Sequence, residues 1–166
     1  MNTFTSITPA AIVGNPFEQI GKQWMLITAG DAAQANTMTA SWGGLGILWN
    51  KPVSFAFVRP TRYTYEFMER EDYYSLSFYD EAYRPALQLC GRVSGRDTDK
   101  IAEAGLTVRT DEAAPYFDEA QLVLICRKLH IQDIDPAGFI DPAIAEHYDN
   151  DYHRMYVGEI VRVLTR

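Results

Sequence analysis

A mostly antiparallel β-barrel with short peripheral helices is the fold class this sequence predicts, and three observations carry the prediction. At least six runs of strand length, apolar or alternating, succeed one another between turns rich in Gly, Pro, Asp and Asn. The helical stretches among them are few and short, without the strand–helix–strand rhythm of a parallel sheet. The run from Gln121 to Ile131 shifts its alternation partway, as a bulge or strong bend requires, and long bent strands belong to barrels. With 166 residues, 47% of them hydrophobic, residues 1–166 make one domain with one large core.

Taken in order, residues 1–21 carry Pro9, Gly14, Pro16 and Gly21 and read as an irregular lead-in with one short strand at Ala11–Val13. Gln23 to Thr28 is a buried strand closed by the turn at Ala29-Gly30-Asp31. Asn36 to Trp42 alternates hydroxyl residues (Thr37, Thr39, Ser41) with apolar ones (Met38, Ala40, Trp42), so a row of hydroxyls backs onto an apolar face. On this reading Met38 and Trp42 anchor the strand in the barrel. Gly43, Gly44 and Gly46 follow, which suits a sharp bend or a close approach of backbone to ligand. A wet strand face and an ordinary turn explain the same pattern, and the residues alone leave both readings open.

Val53 to Val58 is apolar on both faces and reads as a central strand, and Tyr73 to Tyr79 as another. Between them, Arg59, Arg62, Thr61 and Thr64 cluster where a strand ends and a helix begins. Unpaired N–H groups at a helix start, with arginines beside them, make an anion site. Pro85 opens a short helix at Ala86–Cys90, Asp97 caps a second that Gly105 stops, and Asp141 with Pro142 begins a third. Arg96 and Lys100 reach an anion from their loop or simply pair with Asp97 and Asp99. Met155 to Leu164 is the closing strand, β-branched and interrupted by Gly158.

Charge and cysteine usage exclude several classes. Fifteen basic against twenty-two acidic residues give a net charge of −7, which argues against nucleic acid and anionic membrane as partners. Cys90 and Cys126 lie far apart, which indicates neither a disulfide framework nor a metal knuckle and suits the cytoplasm. The start of the chain lacks a basic-then-apolar leader, and no apolar run approaches bilayer length. The glycine-rich phosphate loops, HExxH and GxSxG are absent, and His130, His147 and His153 form no metal-spaced set with a cysteine.

Three blocks in order, Asn36 to Gly44, Arg59 to Thr64 and Cys90 to Lys100, together with His153-x-x-Tyr156-Val157-Gly158-Glu159-Ile160, resemble the flavin reductase-like family, whose members include flavoredoxins. The resemblance runs from about Gln23 onward. It implies an FMN-binding split barrel, a homodimer, and an oxidoreductase passing hydride or electrons between NAD(P)H, flavin and an acceptor. An FMN-binding electron carrier without NAD(P)H turnover is the rival expectation, and a barrel for another planar ligand such as haem is a third. By the same resemblance Asn36, Thr37, Met38, Thr39, Ala40 and Ser41 line the ring and ribityl chain. Arg59, Arg62, Tyr63 and Thr64 lie near the phosphate, and Ser94, Gly95, Arg96 and Lys100 close over it. His153 becomes a candidate for positioning nicotinamide, although it follows Asp151-Tyr152 where the family often has Gly-Asp.

Overall fold

In the computed structural model, which describes residues 3–166, eight strands form one antiparallel sheet. They are β1 (Thr5–Ile7), β2 (Met25–Gly30), β3 (Ala35–Ala40), β4 (Gly43–Leu48), β5 (Lys51–Val58), β6 (Tyr73–Phe78), β9 (Leu122–Asp133) and β10 (Arg154–Thr165). The two-residue strands β7 (Val108–Arg109) and β8 (Tyr116–Phe117) pair separately. The large sheet runs β3-β2-β6-β9-β10-β5-β4, with β1 added beside the far half of β10. Four helices accompany it: α1 (Pro16–Glu18), α2 (Tyr63–Arg70), α3 (Arg84–Arg92) and α4 (Lys100–Glu103). The expected mostly antiparallel sheet with short peripheral helices is therefore what forms.

Burial explains the sequence pattern. All six residues of β2 are buried, because a core lies on each side of it. Ile27, Met38, Ala56, Phe67, Leu76, Leu124 and Tyr156 fill one side, while Leu26, Leu87, Phe117, Val123 and Ile125 fill the other beneath α3 and β8. A strand covered on both faces reads as continuous hydrophobicity rather than alternation. The long pair β9–β10 changes register twice. Leu129 is the unmatched residue on β9 and Val161 on β10, which is the bulge that the broken alternation predicts.

Several expectations are corrected. Residues 11–13 form no strand: Pro9 opens a 3₁₀ turn over Pro9–Ala11, and the strand lies earlier, at β1. The strand expected from Gln23 starts at Met25, because Trp24 takes φ 72° and ψ 169°, a region costly for a side chain. Arg84 holds it there, stacked 3.5 Å from the indole and bonded to the Lys22 and Gln23 carbonyls at 2.8 and 3.0 Å. The glycine-rich stretch is a strand, β4, paired with β5 from Gly43 to Leu48, and the turn falls earlier, at Ser41-Trp42. Trp42 is not in the barrel core; it is 45% exposed, while Met38 is buried as expected. The cap of α4 is Asp99, bonded to the Ala102 amide at 3.2 Å, rather than Asp97.

Inside the barrel a small polar set is sealed from solvent. The Ser54 and Tyr74 hydroxyls lie 2.7 Å apart, and Ser54 Oγ lies 3.2 Å from Cys126 Sγ. Gly158 on β10 has no side chain because the Tyr74 phenol stands where a Cβ would be.

Candidate functional site

The site is organised by the outer edge of β3, which ends the sheet and pairs with no further strand. An edge strand offers a row of unshared backbone donors and acceptors. The start of α2 and the end of α3 flank that edge, and three cavities lie along it. One, of about 510 Å³, lies between Ala35, Asn36, Tyr63 and the loop Gly95–Ile101. A second, of about 160 Å³, lies between Met38–Trp42, Phe57, Arg59, Arg62 and His153. A third, of about 570 Å³, is bounded by Trp24, Thr39, Ser41, Leu87, Gln88, Gly91 and Arg92.

The hydroxyls of β3 and of Ser41 just after it are not equivalent. Thr37 is fully buried, 2.9 Å from the Thr28 hydroxyl, and donates to the Ile27 carbonyl at 3.1 Å. Thr39 donates to the Leu87 carbonyl of α3. Ser41 makes no hydrogen bond among the described residues and borders both the second and third cavities. One hydroxyl thus ties β3 to its neighbour, one ties it to α3, and the third, just beyond the strand, borders open space.

At the Asn36 end the parts lock together across three elements. Asn36 Nδ2 donates to the buried Thr64 hydroxyl at 2.8 Å, so Thr64 is a cross-link inside the first turn of α2. Gly95 packs so closely on Asn36 Oδ1 that a Cβ would collide with it. Lys100, only 4% exposed, donates to the Cys90 and Val93 carbonyls at 3.0 and 3.1 Å. Burial holds its pKa down at about 8. Arg96 pairs with Glu66, donates to the Thr61 carbonyl at 3.3 Å and lies 4.8 Å over the Tyr63 ring, so neither Asp97 nor Asp99 is its partner. Ser94 Oγ accepts from the Arg96 amide at 3.2 Å and shapes this loop. Burial pushes the Cys90 thiol up, which suits packing.

The two arginines ahead of α2 diverge. Arg62 reaches back over the β3 edge to the Gly91 carbonyl at 3.1 Å. Arg59 instead pairs with Asp151 at 2.7 Å and donates to the His147 carbonyl at 2.9 Å. His153, 7% exposed, faces the second cavity beside Trp42 and Phe57, with ring centroids 5.3 and 6.3 Å away. Burial, then the nearby Arg59 charge, brings its pKa down to about 4, so the imidazole is neutral at ordinary pH. Tyr148, Asp151, Phe57 and Gly91 have no place among the sequence-predicted site residues and reach this site through tertiary contact. The density of aromatic residues in the 139–152 loop was the available signal for the first.

The donor set suits a planar, polar-edged ligand bearing phosphate. The backbone edge and Ser41 are polar groups bordering these cavities, and Arg62, Arg96 and Lys100 are the cations that line them. The family described as flavin reductase like domain matches residues 17–166. Among solved structures, flavoredoxin from Methanosarcina acetivorans is 24% identical with TM-score 0.68, over 87% of this chain and 68% of that chain. An FMN-binding domain of a flavin reductases-like enzyme from Shewanella baltica OS155 is 15% identical with TM-score 0.71, over 99% of this chain and 78% of that chain. The split barrel structure from Shewanella frigidimarina NCIMB 400 is 20% identical with TM-score 0.68, over 87% and 67%. At these identities the likeness establishes a shared fold. No curated protein matches the chain.

Proposed function

The chain belongs to the flavin reductase like domain family, and we propose that it binds FMN along the outer edge of β3 and works as an oxidoreductase supplied by NAD(P)H. The observation that carries this reading is the edge itself, an unpaired strand whose flanking cavities hold Ser41, Arg62, Arg96 and Lys100. Bound FMN supplies the hydride- and electron-accepting chemistry, so the protein needs no nucleophile of its own. Asn36, Met38, Thr39, Ala40 and Ser41 give the ring and ribityl chain a backbone and hydroxyl wall. Thr37, with its hydroxyl spent inside the sheet, keeps that wall straight. Arg62, Tyr63, Ser94, Gly95, Arg96 and Lys100 hold the phosphate. Thr64 acts through Asn36, and Arg59 anchors the loop that carries Asp151. His153 borders the space left for nicotinamide.

The same reading takes the protein as a cytoplasmic homodimer, a state supported by the exposed apolar side chains of β4 and the turn after it. The visible spectrum of freshly purified protein is the first test. A flavin spectrum bleached anaerobically by NADH or NADPH supports the enzyme. A flavin spectrum that neither nicotinamide bleaches identifies an electron carrier, and a colourless protein that takes up no added FMN overturns the proposal.

A further inference from the structure

Tyr148 holds the hydroxyl nearest to His153, its phenol oxygen lying 2.8 Å from His153 Nδ1. The contact is clamped from several sides. The Arg59 guanidinium lies 4.9 Å over the Tyr148 ring while pairing with Asp151. Phe139 stacks with the Tyr148 ring at 6.1 Å and 18°, and Tyr152 packs at 5.0 Å. Among the described residues His153 Nε2 has no hydrogen-bond partner, and the imidazole lines the 160 Å³ cavity.

The chemistry of the pair sets the direction of the bond. A phenol is a better donor than an imidazole N–H, and an imidazole nitrogen is a better acceptor than a phenol oxygen. The O–H of Tyr148 therefore donates to Nδ1, and the single proton of a neutral ring sits on Nε2. The charged groups facing the ring agree. Arg59 and Arg62 come from the segment before α2, and Asp151, the one carboxylate beside it, is already paired with Arg59. His147 approaches only across the Trp42 ring.

We propose that Tyr148 is a positioning residue that fixes His153 as the Nε2–H tautomer, presenting an uncharged N–H donor to an amide-type carbonyl in the cavity. The proposal rests on the FMN reading above for the carbonyl's owner, either the flavin ring or the nicotinamide carboxamide. A neutral donor suits a carbonyl, and the phosphate is left to the cations.

Long-range ¹H–¹⁵N NMR tests it, with His153→Gln to assign the ring signals. The wild type shows the Nε2–H tautomer between about pH 6 and 8, and Tyr148→Phe, which keeps the stacked ring, shows a mixture of tautomers. An Nδ1–H ring in the wild type, or an unchanged tautomer in Tyr148→Phe, overturns the proposal. Kinetics and FMN titration then name the acceptor. A rise of about three- to tenfold in the nicotinamide KM with kcat less affected assigns the carboxamide, and an equal loss in FMN affinity assigns the ring carbonyl. No change in either quantity overturns the donor role. If the protein oxidises no nicotinamide, the enzyme reading fails, yet the tautomer measurement on the same sample still decides for or against Tyr148.

Discussion

The seven-strand path of the sheet ends at β3 and β4, which follow one another in the chain and have opposite character. The outer edge of β3 is flanked by α2 and α3; most of its residues are buried, and two of its hydroxyls are bonded inside the protein. β4 carries Gly43, Gly44 and Gly46, and beside them Ile47 is 73% exposed, with Trp49 exposed in the turn that follows. An exposed edge must be managed, and the protein manages its two edges differently. Its own helices cover β3 and leave gaps of small-molecule size. The segment from Thr8 to Gly21 borders β4 across cavities of about 480 and 430 Å³, yet Ile47 and Trp49 stay exposed, an apolar fringe of the kind that another protein surface covers.

Four experiments break or sharpen that contrast. Replacing Arg62 with Ala removes the guanidinium that crosses the β3 edge and should weaken FMN binding about ten- to a hundredfold by absorbance titration, with the thermal midpoint nearly unchanged. Unchanged affinity breaks the assignment of the phosphate to this edge.

Lys100 gives the next largest effect. Its ammonium loses the proton near pH 8, so FMN affinity should fall about tenfold between pH 7 and 9.5, and Lys100→Arg should abolish the fall. The stability sign runs the other way. A lysine whose folded pKa is depressed binds fewer protons folded than unfolded, so the cost of burying the charge is relieved as pH rises from about 8 towards 10.5. A wild-type denaturation series that loses its Lys100-dependent gain over that window argues against a buried ammonium.

Ser41→Val should cost about three- to tenfold in FMN affinity, because its hydroxyl has no partner among the described residues. If Ser41→Val and Thr39→Val together leave affinity intact, the hydroxyl row is not a ligand platform. The smallest effect at the site belongs to Ile47→Lys. It should leave FMN affinity within about twofold while halving the mass seen by sedimentation velocity. A monomeric wild type, or a dimeric Ile47→Lys, removes β4 from the assembly.

The sequence made β2, β5, β6, β9 and β10 legible because each buries a continuous or alternating apolar run, and even the β9–β10 bulge showed as a break in period. β4 was hidden, since three glycines read locally as a bend and only pairing with β5 makes them a strand. Trp24 hid the start of β2 for a related reason: its backbone conformation is imposed by Arg84, sixty residues away in the chain. At the site, Arg59 and Arg62 look equivalent in sequence, yet Asp151 draws one away and Gly91 holds the other over β3. Asn36, Thr64 and Gly95 were visible as separate blocks. Their mutual contact depends on the fold, and so does the contact of Tyr148 with His153.

Gly158 and Tyr74 behave as one residue divided between two strands. The phenol occupies the volume of a missing Cβ and delivers its hydroxyl to Ser54 in the middle of the barrel. Across homologous barrels the two positions should therefore co-vary: a side chain at the position of Gly158 requires the aromatic ring at the position of Tyr74 to shrink or lose its hydroxyl. Relatives that keep the glycine should keep a ring opposite it, so the interior of this barrel is read from a pair of alignment columns rather than from either one.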